Sequence, residues 1–267
     1  MRAGRLVAWT RAWQAGAVPF DALVDAVQVG GPQRVAPAGG TEPAVPLGRV
    51  LIELGPVSPR LVLPVSGDPR GLPGPGPFTD AALAAGEAVV AGGVGLVPVG
   101  QLAARASGRS ATAGGLSAPA GGLSARARGW SAPPGGPTWW TYDVPAGPDD
   151  PLTLAEAEHG LTDAVRETAS ALRDLDVARW RPELDAALAG LRMPAPASEL
   201  PPGYPARAHR LLAQADRIDS ILALAGRDAP GGAVGTGAAV ARERLLRSVG
   251  TAVRRARMAA YNAGVAR

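Results

Sequence analysis

The chain has 267 residues, 46% of them apolar, with a formal net charge of +4 and no cysteine. Its length allows a sizeable core in one domain or two, and the missing thiols exclude disulfides, thiolate zinc sites, iron–sulfur clusters and cysteine nucleophiles. All 27 basic residues are Arg, which removes the Lys of a Walker A loop, of a pyridoxal phosphate Schiff base and of the usual kinase strand.

The Arg-only, Ala/Gly/Pro-rich make-up fits a GC-rich coding sequence, and guanidinium groups that never deprotonate keep the chain basic. Gly (36) and Pro (27) together approach a quarter of the residues, so part of the chain is expected to be loop or low complexity.

The opening "MRAGRLVAWTRAWQAG" lacks the apolar stretch of a secretory signal, and the cytoplasm is the expected compartment. Leu6, Trp9 and Trp13 fall at helical spacing over 3–15, with Gly16 as a stop. Pro19 opens a second helix with Phe20, Leu23, Val24 and Val27 inward. That helix carries Asp21 and Asp25 and no Arg, which is wrong for a helix lying against phosphates. A helical hairpin capping a core is the expectation, rather than a DNA-binding pair.

Residues 30–46 read as a Gly/Pro loop, and "PLGRVLIEL" (46–54) as either a short helix or a strand. "RLVLPV" (60–65) is a strand, after which Thr79 is expected to N-cap a helix running to about Val90. "GVGLVPV" (93–99) is a second strand. Residues 88–104 lack charge, but Gly92, Gly93, Gly95 and Pro98 break the run, so no membrane span is expected. Strand, helix, strand predicts a right-handed parallel crossover. "TWWTYDV" (138–144) is a third strand beside the second, with Trp139 and Thr141 on one face and Trp140 and Tyr142 on the other.

Between the second and third strands, "GGLSAPA", "GGLSARA" and "RGWSAPP" follow one another over 114–134. Each unit repeats Gly or Pro and holds one large apolar residue, too little for a helix or a solenoid. Residues 105–137 are therefore read as a disordered insert.

From 150 onward the pattern turns helical. Thr153 and Glu156 form a capping box, followed by the stripe Leu154, Ala157, Leu161, Val165, Thr168, Leu172 and Leu175. Further helices are expected over 181–191, from Tyr204 to Ala225, and from about Ala238 to Asn262. The fold class is α+β: a small mixed three-stranded sheet with helices (1–104 plus 138–149), and an antiparallel helical bundle over 150–267.

Two places invite a ligand. Asp68 and Arg70 lie just past a strand end, and the helix at Thr79 offers N–H groups to an anion. Four prolines (Pro69, Pro73, Pro75, Pro77) strip that loop of backbone donors, which favours a rigid spacer over a phosphate cradle. Residues 229–267 hold seven Arg and one acid, and on a helical wheel Arg244, Arg247, Arg254 and Arg255 gather opposite Val249 and Val253. That face suits an anionic polymer or acidic surface, although no aromatic side chain is there to stack on bases. Arg242 falls on the apolar stripe and is expected to snorkel or to pair with a bundle carboxylate. "GTGAAV" (235–240) is only a fragment of a dinucleotide fingerprint, with no strand before it. His159 and His209 form no metal or triad pattern. No catalytic residue, metal ligand or cofactor is assigned.

The run "SGDPRGLPGPGPFTDAALAAGEAV", with "LDVARWRPEL" and "AAYNAG", resembles an uncharacterised family of high-GC actinobacterial proteins. The resemblance spans most of the chain outside 105–137. It implies a genuine folded protein and carries no activity or ligand. The expected function is a non-catalytic protein-interaction or regulatory module. The alternatives are a small anionic ligand or enzyme site at the 66–80 loop, and nucleic-acid or acidic-surface binding through the C-terminal Arg face.

Overall fold

The computed structural model describes residues 1–28, 30–99, 138–145, 152–174, 199–227 and 236–265. The expected insert at 105–137 and the expected helix at 181–191 lie outside the described residues. The chain divides into two compact units, Met1–Asp150 and Pro151–Arg267.

In the first unit, helices α1 (Arg2–Gln14) and α2 (Phe20–Val27) form the expected hairpin. Then come β1 (Arg34–Pro37), β2 (Val45–Pro46), α3 (Leu47–Leu54), β3 (Arg60–Val62), α4 (Pro77–Ala85), β4 (Ala88–Ala91), β5 (Val94–Pro98) and β6 (Trp139–Asp143). The sheet has six strands rather than three, in the order β2-β1-β6-β5-β4-β3.

The parallel crossover expected after β3 does not form, because α4 ends early. Gly86 takes a left-handed conformation (φ +73°) and its N–H closes on the Ala82 carbonyl, a C-terminal stop that other residues adopt at a cost. "AVVA" then becomes β4, antiparallel to β3. Gly92 (φ +50°) and Gly93 (φ +91°) turn β4 into β5; a two-residue hairpin loop with positive φ at both positions matches the strand twist. β6 lies beside β5, as expected, the two pairing antiparallel, and its other edge takes β1 in parallel.

Opposed residues of antiparallel strands share a face. Leu61, Val89, Leu96 and Thr141 therefore look one way, toward Leu6 and Thr10 of α1. Val62, Ala88, Val90 and Val97 look the other way and pack with Phe78, Ala82 and Ala85 of α4. Tyr142 meets Phe78 edge to face, with ring centroids 5.9 Å apart. Gly95 is where α4 presses closest: a Cβ there would sit 2.5 Å from Phe78 Cε2 and 2.9 Å from Val144 Cγ1.

The second unit contains α5 (Leu154–Asp174), α6 (Ala206–Arg227) and α7 (Thr236–Asn262). The capping box forms as expected: Thr153 N–H donates to Glu156 Oε2 (3.0 Å), and Glu156 N–H to Thr153 Oγ1 (3.2 Å). The Thr153 hydroxyl also donates to Glu156 Oε2 (2.6 Å), and this bond, together with the one from the Thr153 N–H, holds the Glu156 carboxyl below its ordinary range. The core joins Ala157 and Leu161 to Leu211 and Ala215 and to Val249, Val253 and Ala256. Arg242 reaches the Ala225 carbonyl while Tyr204 reaches that of Tyr261, so α6 and α7 are antiparallel. The Glu158–Arg207 pair (2.6 Å) joins the starts of α5 and α6, while Thr168 of α5 donates to the Leu245 carbonyl of α7. α5 and α6 thus run the same way, and α7 runs against both.

Two glycines give opposite expectations. Gly95→Ala overpacks the seat of Phe78 and should cost about 2 kcal/mol. Gly160 is an exposed residue inside α5 with open space where a Cβ would go, so Gly160→Ala should gain roughly 0.5–1 kcal/mol. Urea unfolding of each variant, followed by circular dichroism, reads both signs.

Candidate functional site

A carboxylate buried beside an apolar strand needs donors. Glu87 stands just before "AVVA" and is only 3% exposed. Its Oε2 accepts the Ala3 backbone N–H (3.0 Å) at the start of α1, where the unpaired N–H groups and dipole of a helix favour negative charge. Its Oε1 is buried without a hydrogen-bond partner. Arg2 is close enough for the charges to interact: burial lowers the Arg2 pKa, and Glu87 opposes that shift.

The Arg2 guanidinium also ties the sheet together. It donates to the carbonyls of Val99 (3.0 Å) and Thr138 (3.2 Å) and to Gln33 Oε1 (2.6 Å). Its Cζ lies 5.1 Å from the centroid of the Trp139 ring, a cation–π distance. The Trp139 indole N–H donates to the same Gln33 oxygen (3.1 Å), and Val99 N–H donates to the Thr138 carbonyl (2.8 Å). The ends of β5 and β6 are thus held side by side. Arg2, Gln33, Glu87 and Trp139 form a buried polar cluster that the periodicity of the chain does not reveal. The one sequence signal was Glu87, a lone carboxylate between Gly86 and a run of apolar residues.

The loop after β3 is built from its own contacts. Val65 and Asp68 pair through their backbones, with Asp68 N–H donating to the Val65 carbonyl (2.9 Å), and Leu72 is buried in the α4 core. Thr79 does not N-cap α4. Gly76 holds that position, Pro77 starts the helix, and the Thr79 hydroxyl donates to the Gly74 carbonyl. Pro at the first helical position lacks an N–H that would have no partner there, which moves the helix start two residues ahead of Thr79. Asp68 and Arg70 are each half-buried and in contact with neighbours.

A small apolar slot lies between α1, α3 and the sheet, lined by Leu6, Thr10, Leu51, Val57, Val89 and Leu96 among others. Its volume is about 10 Å³, the room of one water. The Thr10 hydroxyl there is buried without a partner.

On α7 the four predicted arginines separate. Arg244 and Arg247 are exposed, and Arg247 pairs with Glu243 (2.6 Å) on its own helix. Arg254 and Arg255 are half-buried and engaged with neighbours. Among the described residues, Arg242 donates to the Ala225 carbonyl (2.9 Å), one of the last carbonyls of α6, which have no helical partner. Arg257 bridges α7 to two carboxylates of α6, Asp216 (2.6 Å) and Asp219 (3.0 Å). Burial opposes its charge, but the two carboxylates hold its pKa above the ordinary value. Beside it, the Tyr261 hydroxyl donates to Glu199 Oε2 (3.3 Å), and the Tyr204 hydroxyl donates to the Tyr261 carbonyl (3.1 Å). Burial, then the charges of Glu199 and Asp216, push the Tyr261 pKa well up.

His159 pairs with Asp163 (3.0 Å) on the outside of α5. Among the described residues no group of three or more His, Asp or Glu side chains is placed to hold a metal, and no helix is long and apolar enough to cross a membrane.

Two tests follow from these clusters. Glu87→Ala removes the charge that faces half-buried Arg2 and leaves the Ala3 N–H unmet, and should cost about 2–3 kcal/mol. Glu87→Gln keeps an acceptor and should cost less, about 1–2 kcal/mol; urea unfolding of both variants checks the order. A raised tyrosine pKa means the folded state keeps a proton that the unfolded chain releases near pH 10, so stability is full below about pH 10 and falls as pH rises above it. Tyr142 is also raised by burial. Tyr261→Phe should therefore flatten part of the alkaline loss in a stability–pH profile, and absorbance near 295 nm should show one late-titrating tyrosine fewer.

The comparisons with known proteins cover most of the chain. The model described as "Rv1486c-like protein, N-terminal domain" matches residues 3–116, and "Rv1486c-like protein, C-terminal domain" matches residues 155–258. The chain is 30% identical over 222 residues to the "Uncharacterized protein Rv1486c" of Mycobacterium tuberculosis (strain ATCC 25618 / H37Rv), covering 76% of this chain and 69% of that protein. The "Uncharacterized protein MT1533" of Mycobacterium tuberculosis (strain CDC 1551 / Oshkosh) is similar to the same extent. No solved structure matches. With both domain models matched in order and this level of identity across most of its length, the chain belongs to the Rv1486c-like protein family.

Proposed function

We propose that the chain is a non-catalytic protein-interaction or regulatory component. The observation that supports this reading is the use made of its inward polar groups. Glu87 meets the start of α1, Arg2 ties Val99 to Thr138, Arg257 bridges two carboxylates of α6, and Tyr261 meets Glu199. These side chains hold elements together, which leaves the outer surfaces to act on partners. Asp68 and Arg70 are then parts of a chain-turning loop, and Thr79 of the helix that follows it, rather than a ligand site. The cysteine-free composition supports a reducing, cytoplasmic setting.

A second reading, anion or acidic-surface binding, draws support from Arg244 and Arg247, both exposed on α7. The two readings separate in one experiment. The full-length tagged chain is purified from its native host after mild cross-linking, and the product is analysed by native mass spectrometry with and without nuclease. A discrete protein adduct in fixed ratio is the expected result. A bound metabolite, a nuclease-sensitive adduct, or the chain alone overturns the interaction reading. The anion reading further requires that Arg244→Glu with Arg247→Glu weaken binding to nucleic acid at low salt, where counterion release makes such contacts strongest.

A further inference from the structure

We draw no further inference here: the strongest candidate, the exposed Val240, Arg244 and Arg247 stripe along the outer face of α7, is a helix surface for which nothing in the structure shows what covers it.

Discussion

A carboxylate withdrawn from water is tolerated only where donors and positive charge meet it, and Glu87 finds both at the first turn of α1. This contact sets where α1 begins on the sheet. The next residue back, Arg2, is thereby brought over Trp139 and within reach of the carbonyls that end β5 and precede β6. Gln33 accepts from both Arg2 and the Trp139 indole, which links the approach to β1 into the same cluster. One polar cluster thus fixes a helix, a strand junction and the register of the parallel pair. The apolar faces on either side of the sheet supply the bulk of the burial, but they do not specify alignment in this way.

The second unit uses charge differently. Its seam of Leu161, Leu211, Val249 and Val253 is apolar, and its ion pairs lie toward the edges, where solvent weakens them. Arg257 is the exception. Partly buried between Asp216 and Asp219, it binds α7 to α6 and lies beside the Tyr261–Glu199 contact. Helices that share only small and branched apolar residues can slide by a turn, and a two-carboxylate bridge of this kind resists that.

Periodicity carried much of the fold. The seams of α5, α6 and α7, the capping box at Thr153 and Glu156, the hairpin of α1 and α2, and the pairing of β6 with β5 were all legible, because each depends on residues close in sequence or on a repeated apolar spacing. β1 and β2 were not. They are four and two residues long, sit among Gly and Pro, and owe their state to pairing partners distant in the chain. The crossover is absent for a local reason. Gly86 ends α4 and frees "AVVA" to pair, yet Ala and Val there continue a plausible helical run. The charged residues followed the same division. The outward direction of Arg244 and Arg247 came from the wheel, whereas the bonds of Arg242, Arg257 and Glu87 are tertiary. Thr79 does not cap the helix because Pro77 takes the first helical position.

The placement of β6 between β5 and β1 bears on how the protein is made. Arg34 and Thr138, which bond across the parallel pair, are 104 residues apart. A ribosome adding roughly 5–20 residues per second needs on the order of 5–20 s to cover that distance. For that interval β1 has left the exit tunnel with only the two-residue β2 beside it, and the nascent sheet is divided into two unjoined halves. The strand that unites them is the last to emerge, so the N-terminal half is synthesised well before it is able to close.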